Sequence, residues 1–379
     1  MIRKITNQAQ PYAWGSRTLI SDHLAIEPTG QPMAEIWFGT HASSMARDYE
    51  DPSKTLLQLR DDKPLSFLLK ILAADSPLSI QAHPNLEQAA AGFERENRAG
   101  ISVGAAHRNY KDAGHKPEMI VALSEFEALC GFRSVEYIRE LLEDIQSYQA
   151  AEDLKAAAAE WNDLLNESLR ALFSHLLNSR SQFGVLSVAL AALADFDSRF
   201  ELCMRLNAIY PGDPGVFIAL MMHHIHLQPG QALYLPAGNI HAYLSGLGVE
   251  VMAASDNVLR GGLTAKHIDV AELEAVVDFS TENIELVKQI EVAAGLVEFK
   301  TEAEDFILYR VEPSGQRVLA DLQLGKDAVI LCTAGEVAVS NSLGERLVLQ
   351  RGEAAYSSKE ARLTTFAGSG TAFVAIGKD

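Results

Sequence analysis

Gly230-Gln-Ala-Leu-Tyr-Leu-Pro236-Ala-Gly238-Asn-Ile-His241 decides the reading of this chain. Its first half, QALYL, is a short alternating run that predicts a strand, and Pro236-Ala-Gly238 is a tight-turn signal. The next strand then opens on His241, whose side chain is expected to point into a barrel. A strand is a rigid mount for a ligand, because its packing fixes the direction of the imidazole.

Two upstream segments bring donors to the same place. In Ser79-Ile-Gln81-Ala-His83-Pro84, alternate residues of a strand share a face, so Ser79, Gln81 and His83 face one cavity. In His115-Lys116-Pro117-Glu118-Met119, the proline favours an extended start to the apolar run MIVAL, which puts Glu118 at the barrel mouth. Gln81, His83, Glu118 and His241 together offer two imidazoles, a carboxylate and an amide oxygen. That set suits zinc or another divalent transition ion and leaves positions for water or substrate oxygens. Without a thiolate, the affinity is expected to be moderate and the metal exchangeable.

A fourth segment runs from Glu250 through Asp256 and Arg260-Gly-Gly to Lys266. Arg260 beside two glycines can bring both guanidinium and backbone close to a ligand, and Lys266 adds a second positive charge. Arginine is well shaped to grip a phosphate in two places. Such a gathering matters here, since 32 Lys and Arg stand against 50 Asp and Glu, a formal net charge of −18. A surface of that sign repels polyanions, which argues against nucleic acid or an anionic membrane as the main partner.

Cys130, Cys203 and Cys332 are widely spaced, form no CxxC and suit a reducing compartment. The opening residues lack the apolar core of a secretion signal. The most apolar run, VLSVALAAL at 185–193, is far shorter than the ~20 residues of a membrane span. A soluble, cytoplasmic protein is expected.

The fold class expected is mainly β with a helical insertion. PLSFLLKILAADSPLSIQAHP (64–84) reads as two strands around the turn Asp75-Ser76-Pro77, and 97–117 as a long, functional loop. In 134–223 the periodicity changes. Val135, Ile138, Leu141, Leu142 and Ile145 lie on one helical face, and Asp213-Pro214 reads as an N-cap followed by a first-turn proline. Residues 264–279 predict one more helix. From about 300 the short strands FILYRVE, RVLADLQL, AVILCTAGEVAVSN, GERLVLQ, GEAAYSS, ARLTTF and AFVAIG suggest a sandwich or barrel. Leu227-Gln-Pro-Gly-Gln-Ala232 and Leu349-Gln-Arg-Gly-Glu-Ala354 share a phrase, so two related barrels around a helical insert is the economical layout.

Gly230–His241 has the form G-x5-P-x-G-x2-H, which resembles the second conserved motif of cupin jelly rolls. YAWGS (12–16), AEIWFGTH (34–41), PLSIQAHPN (77–85), NYKDAGHKPEM (109–119), FEALCGFR (126–133), HAYLSG (241–246) and EVMAASDNVLRGGLT (250–264) look like the type I mannose-6-phosphate isomerase family. The resemblance covers the N-terminal half and the segment to about 280. It implies two cupin-like jelly-roll β-barrels plus an α-helical domain. The expected division is a discontinuous catalytic domain (1–133 and 224–285), a helical insertion (134–223) and a degenerate C-terminal barrel (286–379). It implies an enzyme of mannose metabolism that uses one Zn2+ per chain, held by Gln81, His83, Glu118 and His241, to interconvert mannose 6-phosphate and fructose 6-phosphate. The partner is then a small sugar phosphate, and the chain a monomer or weak homo-oligomer. Its active-site arginine falls on Arg260.

Isomerisation at C1 and C2 requires ring opening, a proton moved between two carbons, and an enediolate stabilised in between. A divalent ion acts there as a Lewis acid. Arg260 is assigned to the enediolate or phosphate, with Lys266 and Ser79 as further phosphate contacts. Lys70 and Tyr243 adjoin the motif strands and are candidate pocket residues. Lys116, Glu250, Asp256 and His115 are all open as the proton carrier. Three features depart from the family pattern. Gly39-Thr-His41-Ala42 replaces its G-x-H-P phrase, Ser245 takes the usual cupin Asn position, and His223-His224-Ile-His226 is a dense cluster outside the resemblance. His224 and His226 share a strand face and offer a competing metal scheme, for which the sequence supplies no third ligand other than His241. Rival readings are a different cupin metalloenzyme, such as a dioxygenase or an isomerase of another sugar phosphate, and a non-catalytic sugar-phosphate sensor.

Overall fold

One 13-residue strand, His241–Ala253, organises the sheet that carries the candidate ligands. Its first residues pair with Phe126–Phe132, and His241 lies opposite Gln81 in the strand Ile80–Ala82. From Gly246 onward the same strand pairs with Phe67–Ala74 on one side and Glu118–Ala122 on the other. Gly246 marks the changeover: it has a φ of +118°, and a Cβ there would fall 2.6 Å from the Glu125 carbonyl oxygen. Ten strands join this sheet, among them Glu35–Phe38, Ala232–Leu235 and Leu259–Gly262. The computed structural model describes every residue except 149–150, 181–182, 314, 316–317, 320–321, 323–325 and 378–379.

The P-x-G turn before His241 forms as expected. Gly238 has a φ of +81°, which L side chains rarely adopt, and its N–H donates to the His83 carbonyl at 2.8 Å. One backbone hydrogen bond therefore joins two ligand-bearing segments.

Residues 134–223 are largely helical. The main helices are Val135–Ser147, Glu152–Glu167, Leu169–Asn178, Phe183–Ala192 and Glu201–Ile209. Ser134 caps the first, accepting from the Tyr137 N–H, and the stripe Ile138, Leu141, Leu142 and Ile145 is buried. These helices share one apolar core with Trp161, Phe173 and Phe217, and with Ile80, Ala82, Ala242 and Leu259 from the ligand strands. Burying each large apolar side chain contributes ~2 kcal/mol. The helices thus back the strands, while Gln81, between Ile80 and Ala82, turns the other way.

One local reading holds with an addition, and one is corrected. Pro214 is helical (φ −61°, ψ −19°), and the Asp213 carboxylate before it caps the first turn by accepting from Gly215 N–H at 2.7 Å. The same carboxylate accepts from Leu263 N–H at 2.9 Å, tying the helices to the Arg260 segment. The helix expected over 264–279 covers only Val270–Val276, because Asp269 caps it and Thr264 bonds locally to the Lys266 N–H.

An eight-stranded and a four-stranded sheet complete the fold. The eight-stranded sheet begins at Lys288–Ala293 and Leu296–Lys300, earlier than the tail strands expected from the sequence. Lys288–Ala293 is almost wholly exposed, so no buried face marks it in the sequence. This sheet also takes in Ile2–Thr6, antiparallel to Ala354–Ser357. The other tail strands appear where expected. Of RVLADLQL, Val318–Leu319 form a strand, and the remainder apart from Leu322 lies outside the described residues. Val337, Leu349 and Phe366 of the four-stranded sheet pack against Ile330 and Val374 of the eight-stranded one. On its other face, Phe299, Leu308 and Phe373 meet Leu69, Ile71, Val249 and Val251 of the ligand-bearing sheet. Among the described residues, no helix is long and apolar enough to cross a membrane.

Gly238→Ala places a Cβ 3.2 Å from the Val276 carbonyl oxygen in a left-handed conformation. A loss of ~1–2 kcal/mol of stability is expected, read from urea unfolding midpoints against the parent chain.

Candidate active site

His83, Glu118 and His241 converge with one donor atom each, all within 4.8 Å of one another. The Nε2 atoms of both imidazoles lie 3.5 Å from Glu118 Oε2. All three side chains are buried. Each ring is aimed by its other nitrogen: His83 Nδ1 donates to the Asn257 carbonyl at 2.7 Å and His241 Nδ1 to the Asn239 carbonyl at 3.0 Å. That leaves the Nε2 lone pairs facing the carboxylate, the usual arrangement behind metal-bound histidines. Gln81 completes the ring of donors, its side-chain amide 3.3 Å from His241 Nε2. Turning the amide over presents its oxygen instead, since the two ends are alike in shape.

His83 Nε2 and Glu118 Oε2 are buried without a hydrogen-bond partner among the described residues. Leaving such atoms unpaired costs ~1–3 kcal/mol each, and a divalent cation between them satisfies both. The protonation states suit it. Burial, helped by the Lys116 ammonium, pushes His83 down to about 4 and keeps it a neutral ligand. Burial works against the Glu118 carboxylate, but Lys116 and the imidazoles outweigh it and hold the group well below its ordinary range.

Of these donors, Gln81 and Glu118 line a cleft of about 230 Å³. Lys116 Nζ lies 2.7 Å from Glu118 Oε1. Lys70 sits between Glu250 at 2.6 Å and Glu35 at 3.0 Å. Tyr243 donates to Glu250 at 2.8 Å, and Trp37 Nε1 to Glu35 at 3.1 Å. Burial opposes the Lys70 charge, yet the two carboxylates raise its pKa, while burial raises that of Glu250. Asp256, at the rim, pairs with His41 Nε2 at 3.0 Å. His115 turns to Asp305, 2.8 Å away, and does not line the cleft.

Arg260 and Gln81 also line an adjoining pocket of about 350 Å³ with Ser79 and Lys266. Burial lowers the pKa of both Arg260 and Lys266, and their mutual repulsion adds to the effect on Lys266. Neither side chain has a hydrogen-bond or ion-pair partner among the described residues. In a chain with a net charge of −18, these two neighbouring cations make a locally positive patch.

The structure thus brings together Gln81, His83, Glu118 and His241, and around them Lys70, Lys116, Tyr243, Glu250, Asp256 and Arg260. Ser79 and Lys266 lie in the adjoining pocket. Sequence reasoning missed Tyr12, Glu35, Trp37 and His41 as cleft residues, although YAWGS and AEIWFGTH contain them. It also missed Asn257. The Asn257 amide accepts from Lys111 N–H at 2.7 Å and donates to the Asp112 and Gly114 carbonyls at 2.9 and 2.8 Å. The loop expected over 97–117 begins after the helix Leu86–Arg98; Asn257 pins it together with Glu96, which accepts from the Asn109 and Tyr110 N–H groups, and the Asn257 carbonyl aims His83. The expectation that only His241 could serve as third donor for His224 and His226 is corrected: Glu127 lies with them, and His241 belongs to the other cluster.

Fold and site are those of a protein built to hold a divalent cation beside a small anion. Residues 2–135 match the profile described as "Phosphomannose isomerase type I, catalytic domain". The chain is 35% identical to the mannose-6-phosphate isomerase of Escherichia coli over 97% of this chain and 98% of that one. It is 34% identical to that of Homo sapiens over 90% of each. It superposes on a crystal structure of mannose 6-phosphate isomerase in its holo, zinc-bound form with a TM-score of 0.90, at 33% identity and covering 100% of both chains. The apo form from Salmonella typhimurium gives a TM-score of 0.89 at 33% identity, over 100% of this chain and 99% of that one. The chain belongs to the type I mannose-6-phosphate isomerase family.

In the metal-free protein, acid is expected to weaken the fold through His83. Unfolded, the imidazole takes a proton near 6.5; folded, only near 4, so the unfolded state holds more protons between these values. Stability should fall as pH drops through that window. His83→Gln should flatten the fall, measured by urea unfolding across a pH series.

Proposed function

We infer that this chain is a zinc-dependent aldose–ketose isomerase that interconverts mannose 6-phosphate and fructose 6-phosphate. One observation carries the reading: a buried His–Glu–His cluster with orphaned donor atoms opens into a cleft flanked by two unpaired cations. The donor chemistry fits zinc, with Gln81, His83, Glu118 and His241 as its holders. When bound there, zinc supplies Lewis acidity toward the carbonyl and hydroxyl oxygens at C1 and C2.

The chain's own residues do the rest. Arg260, Lys266 and Ser79 bind the phosphate and so fix the distance from it to C1 and C2. Arg260 also lines the cleft, which lets its guanidinium reach the oxygens that become negative in the enediolate. Proton transfer between C1 and C2 falls to a group on the cleft wall. Lys116, Glu250 and Asp256 all qualify by position. Lys70 and Tyr243 hold Glu250 in place, and Asp256 at the rim is available for ring opening. A sensor needs only the anion pocket, whereas this chain also buries three donors at a cost in stability, which favours an enzyme. The proposed frame is two cupin-like jelly-roll barrels, the first discontinuous and interrupted by the helical domain, with the small sugar phosphate as partner.

A coupled assay for fructose 6-phosphate formed from mannose 6-phosphate tests the reading. Chelation should abolish turnover and added zinc restore it; turnover unaffected by complete metal removal overturns the assignment. Arg260→Ala should keep its metal and its fold while losing about 10³-fold in turnover. Metal analysis and circular dichroism check the first two points.

A further inference from the structure

The His223-His224-Ile225-His226 run plays no part in the cleft chemistry. It lies on the strand Met222–Leu227, which among the described residues pairs only with Phe126–Phe132 and so forms an edge of the sheet. His224 and His226, two residues apart, turn to the same side with their ring centres 4.4 Å from each other. Glu127 sits directly opposite His226 in the ladder, and its Oε1 lies 2.6 Å from His224 Nε2. The three residues offer one ligand atom each, all within 4.8 Å of one another, as the buried cluster does. They face a separate pocket of about 620 Å³ rather than the cleft.

We propose that Glu127, His224 and His226 form a second, weaker site for a divalent transition-metal ion, filled in exchange for the Arg205 guanidinium. Two imidazoles and a carboxylate suit zinc, nickel or copper, and paired strands hold all three donors rigidly. Burial works against the Glu127 charge, but His224 and Arg205 overcome it, so the group is a carboxylate across the ordinary pH range. His226 is exposed and His224 partly so, which lets water complete the coordination. Without metal, Arg205 occupies both carboxylate oxygens, with Nη1 3.0 Å from Oε2, and Ser245 Oγ lies 3.3 Å from Oε2. The Arg205 side chain is half exposed, at 52%, so it can withdraw into solvent at little cost. The site is weaker than the buried one because Arg133 and Arg199 also line the pocket.

The test starts from protein already holding one equivalent of zinc and titrates further Zn2+ by calorimetry, with metal analysis after gel filtration. A second equivalent is expected, bound at least about tenfold more weakly than the first. The His224→Asn/His226→Asn double variant should lose that equivalent while keeping the first and its full isomerase turnover. Arg205→Gln removes the competing cation and should tighten the second site about fivefold. No second equivalent at millimolar zinc, or one retained by the double variant, overturns the proposal. So does unchanged or weaker binding in Arg205→Gln, an arm that stands even where the double variant fails to fold.

Discussion

The approach of two imidazoles to one buried carboxylate is the constraint that the rest of the ligand-bearing sheet serves. Glu118 is opposite Met252, near the end of the long strand that starts at His241, and Gln81 is opposite His241 itself. The three segments that carry the donors are far apart in the chain, so the ladder, with the bond from Gly238 N–H to the His83 carbonyl, holds them in register. A one-residue slip would turn each side chain to the opposite face. Gly246 lets the long strand change partners midway, and Gly238 ties the His241 turn to the His83 backbone. Apolar helices press on the reverse of the same strands through Ile80, Ala82 and Leu259, which resists such a slip.

Charge is distributed with the same economy. The chain is strongly acidic, yet carboxylates are kept from Arg260 and Lys266 while Lys70 and Lys116 are neutralised in the cleft. Lys70 bridges two carboxylates and receives their field, so it reads as a brace that fixes Glu250. Arg260 is partly buried and Lys266 exposed, and the positive charge of Arg260 lowers the pKa of Lys266. The cleft therefore has a polarity of its own: Gln81 and Glu118 on its wall, and the unmatched Arg260 where it meets the adjoining pocket.

Much of this was legible in the sequence where local rules act alone. The Pro236-Ala-Gly238 turn, the i, i+2 spacing of Gln81 and His83, and the helical stripe from Ile138 to Ile145 each follow from geometry a short window contains. What escaped depends on register between distant strands. Glu35 and Trp37 belong to a strand buried throughout, so no alternation singles them out. Glu127 becomes a neighbour of His224 and His226 only because Phe126–Phe132 pairs with Met222–Leu227. Asn257 looks like a loop residue, and its four-way anchoring role exists only once the 99–117 segment folds over it. Lys288–Ala293 has no buried face at all, and its hydrogen bonds to Leu296–Lys300 define it.

The pairing of Ile2–Thr6 with Ala354–Ser357 bears on how the molecule is made. A nascent chain exposes residues 2–6 long before their partner leaves the ribosome, and that strand lies between Ala354–Ser357 and Arg47–Asp48 in the eight-stranded sheet. Closing so distant a contact is entropically slow. The edge of this strand toward Ala354–Ser357 is thus among the last to be paired, and until then it is open to chaperones or to a neighbouring chain.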